Sequence, residues 1–218
     1  NLYGLEIVDI SKNSCLIKSL YQEEITKLSS HIKKMIYNIK TIKEVLMDDF
    51  NKNSFNSGEE ILQLRNNVLK QRDLIARVIN KQRLLDNQNF PFYLIAFNLW
   101  QIAKNYRYMY NYFSTALIKK EGVSKKASNV AFKRTTTFSN IKTLEKANTY
   151  FDNTFSVLTG ENLSQTLEQF YDLKKEIEKA LSPKESSEKN NSADLIYTYA
   201  IALNIEACKS SLLILEKK

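Results

Sequence analysis

Apolar side chains recur at alternating intervals of four and three residues along several long stretches of the chain. The first of these seams runs from Tyr21 to Leu46, within a predicted helix that covers about residues 14–49. Such spacing places the apolar side chains on one face of a helix, as in a coiled coil. We therefore expect a first helix with one dry face and one basic, solvated face.

Further helices are predicted from similar patterns and from their end signals. The second begins after Ser57, which has the spacing of a capping box with Glu60. The third begins at Pro91 and ends at Gly122. Its aromatic residues cover so much of its circumference that we expect it at the centre of a bundle. The remaining predicted elements are a short helix within 123–138 and helices over about 139–160, 163–181 and 193–216.

Together these elements predict an all-α fold, a single domain over residues 1–218 built as a bundle of about six to seven antiparallel helices. Only four Gly and two Pro interrupt the 218 residues. We expect residues 1–13 to form a flexible lead-in and residues 182–192 to form a mobile loop before the last helix. The longest apolar runs are too short to span a bilayer, so no transmembrane segment is predicted.

The net charge of +8 belongs to the first part of the chain. Residues 1–134 hold 22 Lys and Arg against 12 Asp and Glu, whereas residues 135–218 hold 10 against 12. The second helix is the most basic, and its cations fall on two adjacent sides: Arg65, Lys70, Arg72, Arg77, Lys81 and Arg83. Such a helix can attract an anionic partner. Nucleic acid is the least favoured partner, because no helix-turn-helix, zinc-finger or basic-zipper pattern accompanies these residues.

The tract from Tyr106 to Phe113 is the most distinctive in the chain. At helical spacing, Tyr106, Tyr110 and Phe113 share one side, while Tyr108 and Tyr112 share another. A central helix that touches several neighbours would bury both sides, and this is the favoured interpretation. The alternative is a groove for a partner, in which Tyr108 and Tyr112 join the basic side chains of the second helix as binding residues.

The residue inventory excludes several kinds of active site. His31 is the only histidine, so no site can use two imidazoles, and the four glycines stand singly rather than in a phosphate-binding loop. The acidic pairs at 23–24, 48–49 and 59–60 are interpreted as helix-end charges or solvated faces. Cys15 and Cys208 are either two unpaired thiols, which we favour, or a bridge between the ends of the chain. We predict no catalytic residue, no metal and no cofactor, with a carboxylate-based enzyme as a minor alternative.

The composition resembles that of a known group of proteins. The chain holds 26 Lys, 22 Asn, 20 Ile and 12 Tyr, long Lys-rich helices, the polar stretch PKESSEKNNS at 183–192 and a Lys-rich end at 215–218. In these features it resembles the helical, plasmid-encoded outer-surface lipoproteins of Lyme-disease spirochaetes of the Borrelia type. The resemblance implies a non-enzymatic helical domain, anchored to the outer membrane surface through a lipidated Cys upstream of Asn1. It also implies binding to host complement, matrix or plasma proteins.

Three functional hypotheses follow, in order of preference. The first is a bacterial surface lipoprotein that binds host macromolecules, with a role in virulence, and that contacts the membrane only through its lipid anchor. The second is a cytoplasmic helical scaffold or adaptor that uses the seam from Tyr21 to Leu46 to pair with another helix, including that of a second copy in a homodimer. The third is a basic nucleic-acid-binding protein.

Overall fold

The computed structural model describes residues 5–11, 14–19, 28–52, 54–81, 90–121, 141–156, 171–175 and 192–216, and every structural statement below concerns these residues. The strands β1 (Leu5–Ser11) and β2 (Ser14–Ser19) come first. They are followed by the helices α1 (Leu28–Lys52), α2 (Gly58–Lys81), α3 (Phe90–Glu121), α4 (Ile141–Ser156) and α5 (Ser192–Glu216). Residues 171–175 are also helical. The helices enclose one apolar core, so the predicted all-α bundle is confirmed, with a two-stranded hairpin preceding it.

The first two helices run in opposite directions along each other. His31, near the start of α1, lies 2.6 Å through its Nδ1 from Oε1 of Gln71 in the second half of α2. At the other end of the pair, Asp49 of α1 accepts a hydrogen bond from the Ser57 hydroxyl, just before α2 begins. The connector between these helices is short, and short connectors favour antiparallel neighbours.

Helix α3 lies at the centre of the bundle, as its sequence predicts. It packs against α1, α2 and α5, and its most extensive contact is with α5. Ile95 near its start approaches Cys208, and Tyr108 further along approaches Tyr197, so α3 and α5 are antiparallel. The buried side chains of α3 lie on one broad face, which these three neighbours cover: Ile95, Leu99, Ile102, Tyr106, Met109, Tyr110 and Phe113.

The apolar seam of α1 packs against other helices of the same chain. Its described members are at most 2% exposed: Leu28, Ile32, Met35, Ile39, Ile42 and Leu46. They pack against α2 and α3, which are the neighbours of α1 in the bundle. Tyr21 and Ile25 lie outside the described residues. The predicted dry face is therefore confirmed over Leu28–Leu46, and it is covered by helices of the same chain.

The N-terminal predictions are wrong where the structure describes this part of the chain. Residues 5–11 were assigned to a flexible lead-in and residues from 14 onward to the first helix, but they form an antiparallel hairpin. A register shift between Ile7 and Asp9 marks a β-bulge. The apolar residues in Ser14–Ser19 are consecutive rather than four and three apart, and β1 contains Ile7, Val8 and Ile10, β-branched residues that favour strands. The predicted helix at 123–138 and the predicted loop at 182–191 lie outside the described residues.

Candidate binding surface

The basic residues predicted as binding residues do not form one patch. Lys70 and Arg77 of α2 are exposed, whereas Arg65 and Arg72 are half-buried. Arg65 donates a hydrogen bond to Asn66, and Arg72 donates to the neighbouring carboxylate of Asp73 at 2.6 Å. These two guanidinium groups are therefore engaged within α2. The side chain of Lys81 and the whole of Arg83 lie outside the described residues.

The two tyrosines predicted as partner contacts have different environments. Tyr108 is exposed and its ring lies 6.2 Å from that of Tyr197 on α5. Tyr112 is half-buried and meets Phe113 edge-on, with ring centroids 5.4 Å apart, so it packs on the core. Tyr106 and Tyr110 are buried, as the interpretation of this tract as core requires. Only Tyr108 of the tract presents its ring largely to solvent.

Tyr108 belongs to a longer line of aromatic side chains on the outer side of α3, which we call the α3 aromatic row: Phe90, Tyr93, Phe97, Trp100 and Tyr108. Phe90 stacks on Tyr93, and Phe97 leans on Trp100 with ring centroids 5.7 Å apart. Phe90, Phe97 and Tyr108 remain 46%, 37% and 44% exposed. The row extends over about 27 Å at the rise of an α-helix. In the sequence, the aromatic residues of α3 cover more of the helix than a single stripe, and this pattern predicts that they are buried in the core.

Two cations lie on the rings of this row. The Arg72 guanidinium is 4.2 Å from the centroid of the Trp100 ring. The Lys104 ammonium is 5.3 Å from the same ring and 5.5 Å from that of Tyr108. A cation within about 6 Å of an aromatic face is attracted by the ring quadrupole. Because Arg72 is also paired with Asp73, Lys104 is the cation that gives the α3 aromatic row its positive charge. Sequence reasoning found Arg72 but missed Lys104.

The outer side of α5 is also apolar. A second line of side chains, which we call the α5 stripe, follows four–three spacing: Ile196, Ala200, Leu203, Ala207, Ser210 and Ile214. Ile196, Leu203 and Ile214 are 53%, 44% and 49% exposed. The residues of α5 that do enter the core lie on its other side: Ile201, Ala202, Ile205, Cys208 and Leu212.

Both sides of α5 are apolar, and this helix therefore differs from the prediction that no segment of the chain is long and apolar enough to span a bilayer. The segment Leu195–Leu215 is long and apolar enough to cross a membrane on length and composition alone. Its only charged residues are Glu206 and Lys209. In the structure it packs along α3 and α4, and its outer side remains exposed.

A buried polar cluster joins α1, α3 and α4. Lys43, whose side chain is 7% exposed, donates to Asp152 Oδ1 at 2.6 Å and to the backbone oxygen of Asn148 at 3.1 Å. The Tyr106 hydroxyl donates to Asn148 Oδ1 at 2.6 Å. Burial lowers the pKa of Lys43, opposed by the bond to Asp152, and burial raises the pKa of Tyr106. These groups satisfy one another inside the bundle, which is what a structural polar cluster requires.

A second cluster closes the corner between α1 and α2. The buried Asp49 carboxylate accepts from the Ser57 backbone N–H and hydroxyl and from the Tyr110 hydroxyl at 3.0 Å. The Arg107 guanidinium donates to the backbone oxygen of Gly58 at 2.9 Å. Asp49 was interpreted as solvated, so that interpretation is wrong for this residue. Glu59 and Glu60 are exposed in the first turn of α2, as predicted.

The remaining candidates for chemistry are isolated. His31 is buried, and its Nδ1 lies 2.6 Å from Oε1 of Gln71. Cys208 is a free, buried thiol whose pKa burial raises, so the favoured prediction of unpaired thiols is confirmed for this residue. Among the described residues no group of three His, Cys, Asp or Glu could hold a metal ion.

An open cleft of about 510 Å³ lies between α4 and the helical residues 171–175. Its rim carries charges of both signs, from Lys142, Lys146, Glu145 and Asp172. These four side chains are exposed to solvent. Exposed groups of mixed charge select no particular ligand, so the α3 aromatic row is the stronger candidate site.

Comparisons with known proteins identify no relative. No protein-family model matches the chain, and no curated protein or solved structure matches it significantly. The candidate binding surface therefore rests on the geometry of this chain alone.

Proposed function

We propose that this chain is a non-enzymatic binding protein that recognises an acidic partner protein through the α3 aromatic row. In this proposal it is the folded domain of a bacterial surface lipoprotein, and its partner is a host macromolecule. The observation that carries the binding role is the row itself, in which Phe90, Phe97 and Tyr108 are exposed while the other two rings also pack against the core. Arg72 and Lys104 lie on rings of this row. Large aromatic side chains and Arg are the residues that dominate the binding energy of protein interfaces.

The charge of the chain supports an acidic partner. The net charge is +8, and the half of the chain that contains the row is the more basic half. Lys104 lies between Trp100 and Tyr108, so an acidic group that approaches the row meets a cation flanked by apolar rings. Positive potential raises the rate at which an acidic partner meets this surface, and the rings then supply contact area.

Nucleic acid is a weaker candidate for the same surface. Two of the basic side chains of α2, Arg65 and Arg72, are bonded within their own helix, which leaves Lys70 and Arg77 exposed on the described part of it. Binding to a duplex requires several cations that contact phosphates together. We therefore propose protein recognition in preference to nucleic-acid binding.

The surface that the scaffold hypothesis requires is not available for a partner where the structure describes it. It assigned partner binding to the seam from Tyr21 to Leu46, and the described part of this seam lies inside the bundle. An intracellular role remains an alternative for the compartment only. Reading the coding sequence upstream of Asn1 tests the compartment, because the lipoprotein proposal requires a secretion signal that ends in a lipidated Cys.

Binding to immobilised plasma and extracellular-matrix proteins tests the binding role. We expect the wild-type chain to bind at least one acidic protein of such a panel, and the double variant Phe97→Ser/Tyr108→Ser to bind it at least about tenfold more weakly. Lys104→Glu should also weaken binding, and the loss of affinity should be larger at low salt than at high salt, because salt screens the interaction between charges. The matched control is Tyr37→Ser, which removes a tyrosine that is 71% exposed on α1. Equal binding by all variants would contradict the proposal.

A further inference from the structure

The α5 stripe has the residue spacing of a helix face that packs against another helix. Its six members alternate in spacing by four and three residues, which keeps them in one line along about 27 Å of helix. Large residues stand at both ends and at Leu203, whereas Ala200, Ala207 and Ser210 are small. Small side chains let a second helix approach closely, because the distance between helix axes depends on the residues at the contact.

We propose that the occupant of this stripe is the α5 stripe of a second copy of the chain, in an antiparallel pair related by a twofold axis near Ile205. In a twofold interface each residue meets the same partner in both directions. Leu203 of each copy then lies over the small residue Ala207 of the other. The facing positions are Ile196 with Ile214, Ala200 with Ser210, and Leu203 with Ala207. This self-association does not rest on the proposed function, which uses a different helix.

Charge favours a second copy over a charged partner at this face. No member of the stripe is charged. The nearest charged residues on α5 are Glu206, whose carboxylate accepts from the Tyr150 hydroxyl, and Lys209, which is 2% exposed. Two copies that each carry a net charge of +8 repel one another most weakly where their contact is neutral.

The area of the stripe indicates a reversible dimer. The apolar segment of α5 has 21 residues. A helix of this length that covers half of its circumference buries on the order of 500 Å² per copy. Stable interfaces of standard size bury about 800 Å² per partner, and smaller ones are weak or transient. The dimer should therefore form at micromolar concentration and dissociate on dilution.

Sedimentation velocity over a range of protein concentrations tests the dimer. We expect the wild-type chain to shift from monomer to dimer as its concentration rises, and to dimerise more strongly when salt rises from about 50 mM to about 500 mM, because salt screens the repulsion between copies. Leu203→Glu should abolish the dimer, and Leu203→Gln should weaken it. Tyr37→Glu, on the exposed side of α1, is the matched control and should leave it unchanged. A chain that stays monomeric at several hundred micromolar, or a dimer that survives Leu203→Glu in a folded protein, overturns the proposal.

Cross-linking tests the direction of the pair. In a Cys15→Ser background, the double variant Ala200→Cys/Ser210→Cys should form an intermolecular disulfide efficiently. Each single variant should not, since two identical positions would be about 15 Å apart along the helix, beyond disulfide reach. Efficient cross-linking of the single variants would instead show a parallel pair and would overturn the antiparallel arrangement. Neither result bears on the α3 aromatic row, so failure of the dimer and failure of the proposed function are distinguishable.

Discussion

At the scale of single residues, Asp48 and Asp49 show how strongly position on a helix decides the role of a side chain. Asp48 is exposed and pairs with Lys52 one turn away, whereas Asp49 is buried and accepts three hydrogen bonds. The two residues look alike in the sequence. Their difference appears only when Ser57 and Tyr110 are brought to the end of α1.

We predict that Asp49→Asn destabilises the protein by about 2–3 kcal/mol, because it replaces a buried carboxylate whose partners are all donors. Asp48→Asn is the matched control and should change the free energy of unfolding by about 0.5 kcal/mol or less, since exposed ion pairs contribute little. Urea unfolding of both variants at neutral pH gives the comparison. Equal losses would show that Asp49 does not hold the corner between α1 and α2.

Tyr110 makes the same corner sensitive to alkaline pH. Burial, together with the bond to Asp49, raises the pKa of Tyr110 from 10.0 to about 12. The stabilisation that depends on the neutral phenol is therefore present below pH 10 and is lost as the pH rises towards 12. We expect Tyr110→Phe to be about 1–2 kcal/mol less stable than the wild type at pH 7 but to lose less stability between pH 10 and 12.

Unfolding in urea at several pH values checks this expectation. The fall should persist in part in Tyr110→Phe, because burial also raises the pKa of Tyr106 and Tyr150. Tyr37→Phe serves as the control, because Tyr37 is exposed and should affect neither the stability nor its pH dependence. A Tyr110→Phe variant with an unchanged alkaline fall would argue against the role of this phenol.

At the scale of elements, the sequence pattern predicts faces well when a helix has one apolar face and poorly when it has two. The seam of α1 has charged residues on its other side, and its residues from Leu28 to Leu46 enter the core as expected. In α5 only four residues are charged, Asp194, Glu206, Lys209 and Glu216, and the other polar residues are Thr, Ser, Asn and Tyr. Because the apolar residues of α5 occur on both of its sides, their pattern gives no sign that the α5 stripe faces solvent.

Helix α4 is attached to α1 by a half-buried ion pair between Lys43 and Asp152, and this attachment yields a prediction at the same scale. Asp152→Asn leaves the Lys43 ammonium inside the bundle with the Asn148 carbonyl as its acceptor, so we expect a loss of about 1–2 kcal/mol, reduced because the Asp152 side chain is 49% exposed. Lys43→Met removes the charge along with its partner and should cost less. Unfolding of both variants in guanidinium shows which of the two loses more stability. A larger loss for Lys43→Met would mean that the ion pair contributes net stability.

At the scale of the whole molecule, the order of the described helices α1 to α5 could be predicted but the contacts between distant segments could not. Pro91 is a local signal, and α3 begins beside it at Phe90. The predicted capping box at the start of α2 is not formed, because the Ser57 backbone N–H and hydroxyl donate to Asp49 rather than pairing with Glu60. The bond between Lys43 and Asn148 joins residues 105 positions apart, and no periodicity encodes such a pairing. The same reason explains why Lys104 was missed, since its role depends on two rings that the fold brings to it.

These distant contacts predict that the described helices unfold together. Trp100 is the only tryptophan and reports on the contact between α2 and α3, whereas far-ultraviolet circular dichroism reports on all helices. Polar bonds tie α4 to α1, α3 and α5 through Asp152, Asn148 and Tyr150. We therefore expect fluorescence and circular dichroism to follow the same urea transition, as in a two-state protein.

The variant Asp152→Asn tests whether these bonds couple α4 to the other helices. If they do, its two transitions should separate, and the circular dichroism should change at a lower urea concentration than the fluorescence. A wild-type protein whose fluorescence and dichroism transitions already differ would show instead that α4 and α5 form a less stable unit than the three-helix core of α1, α2 and α3.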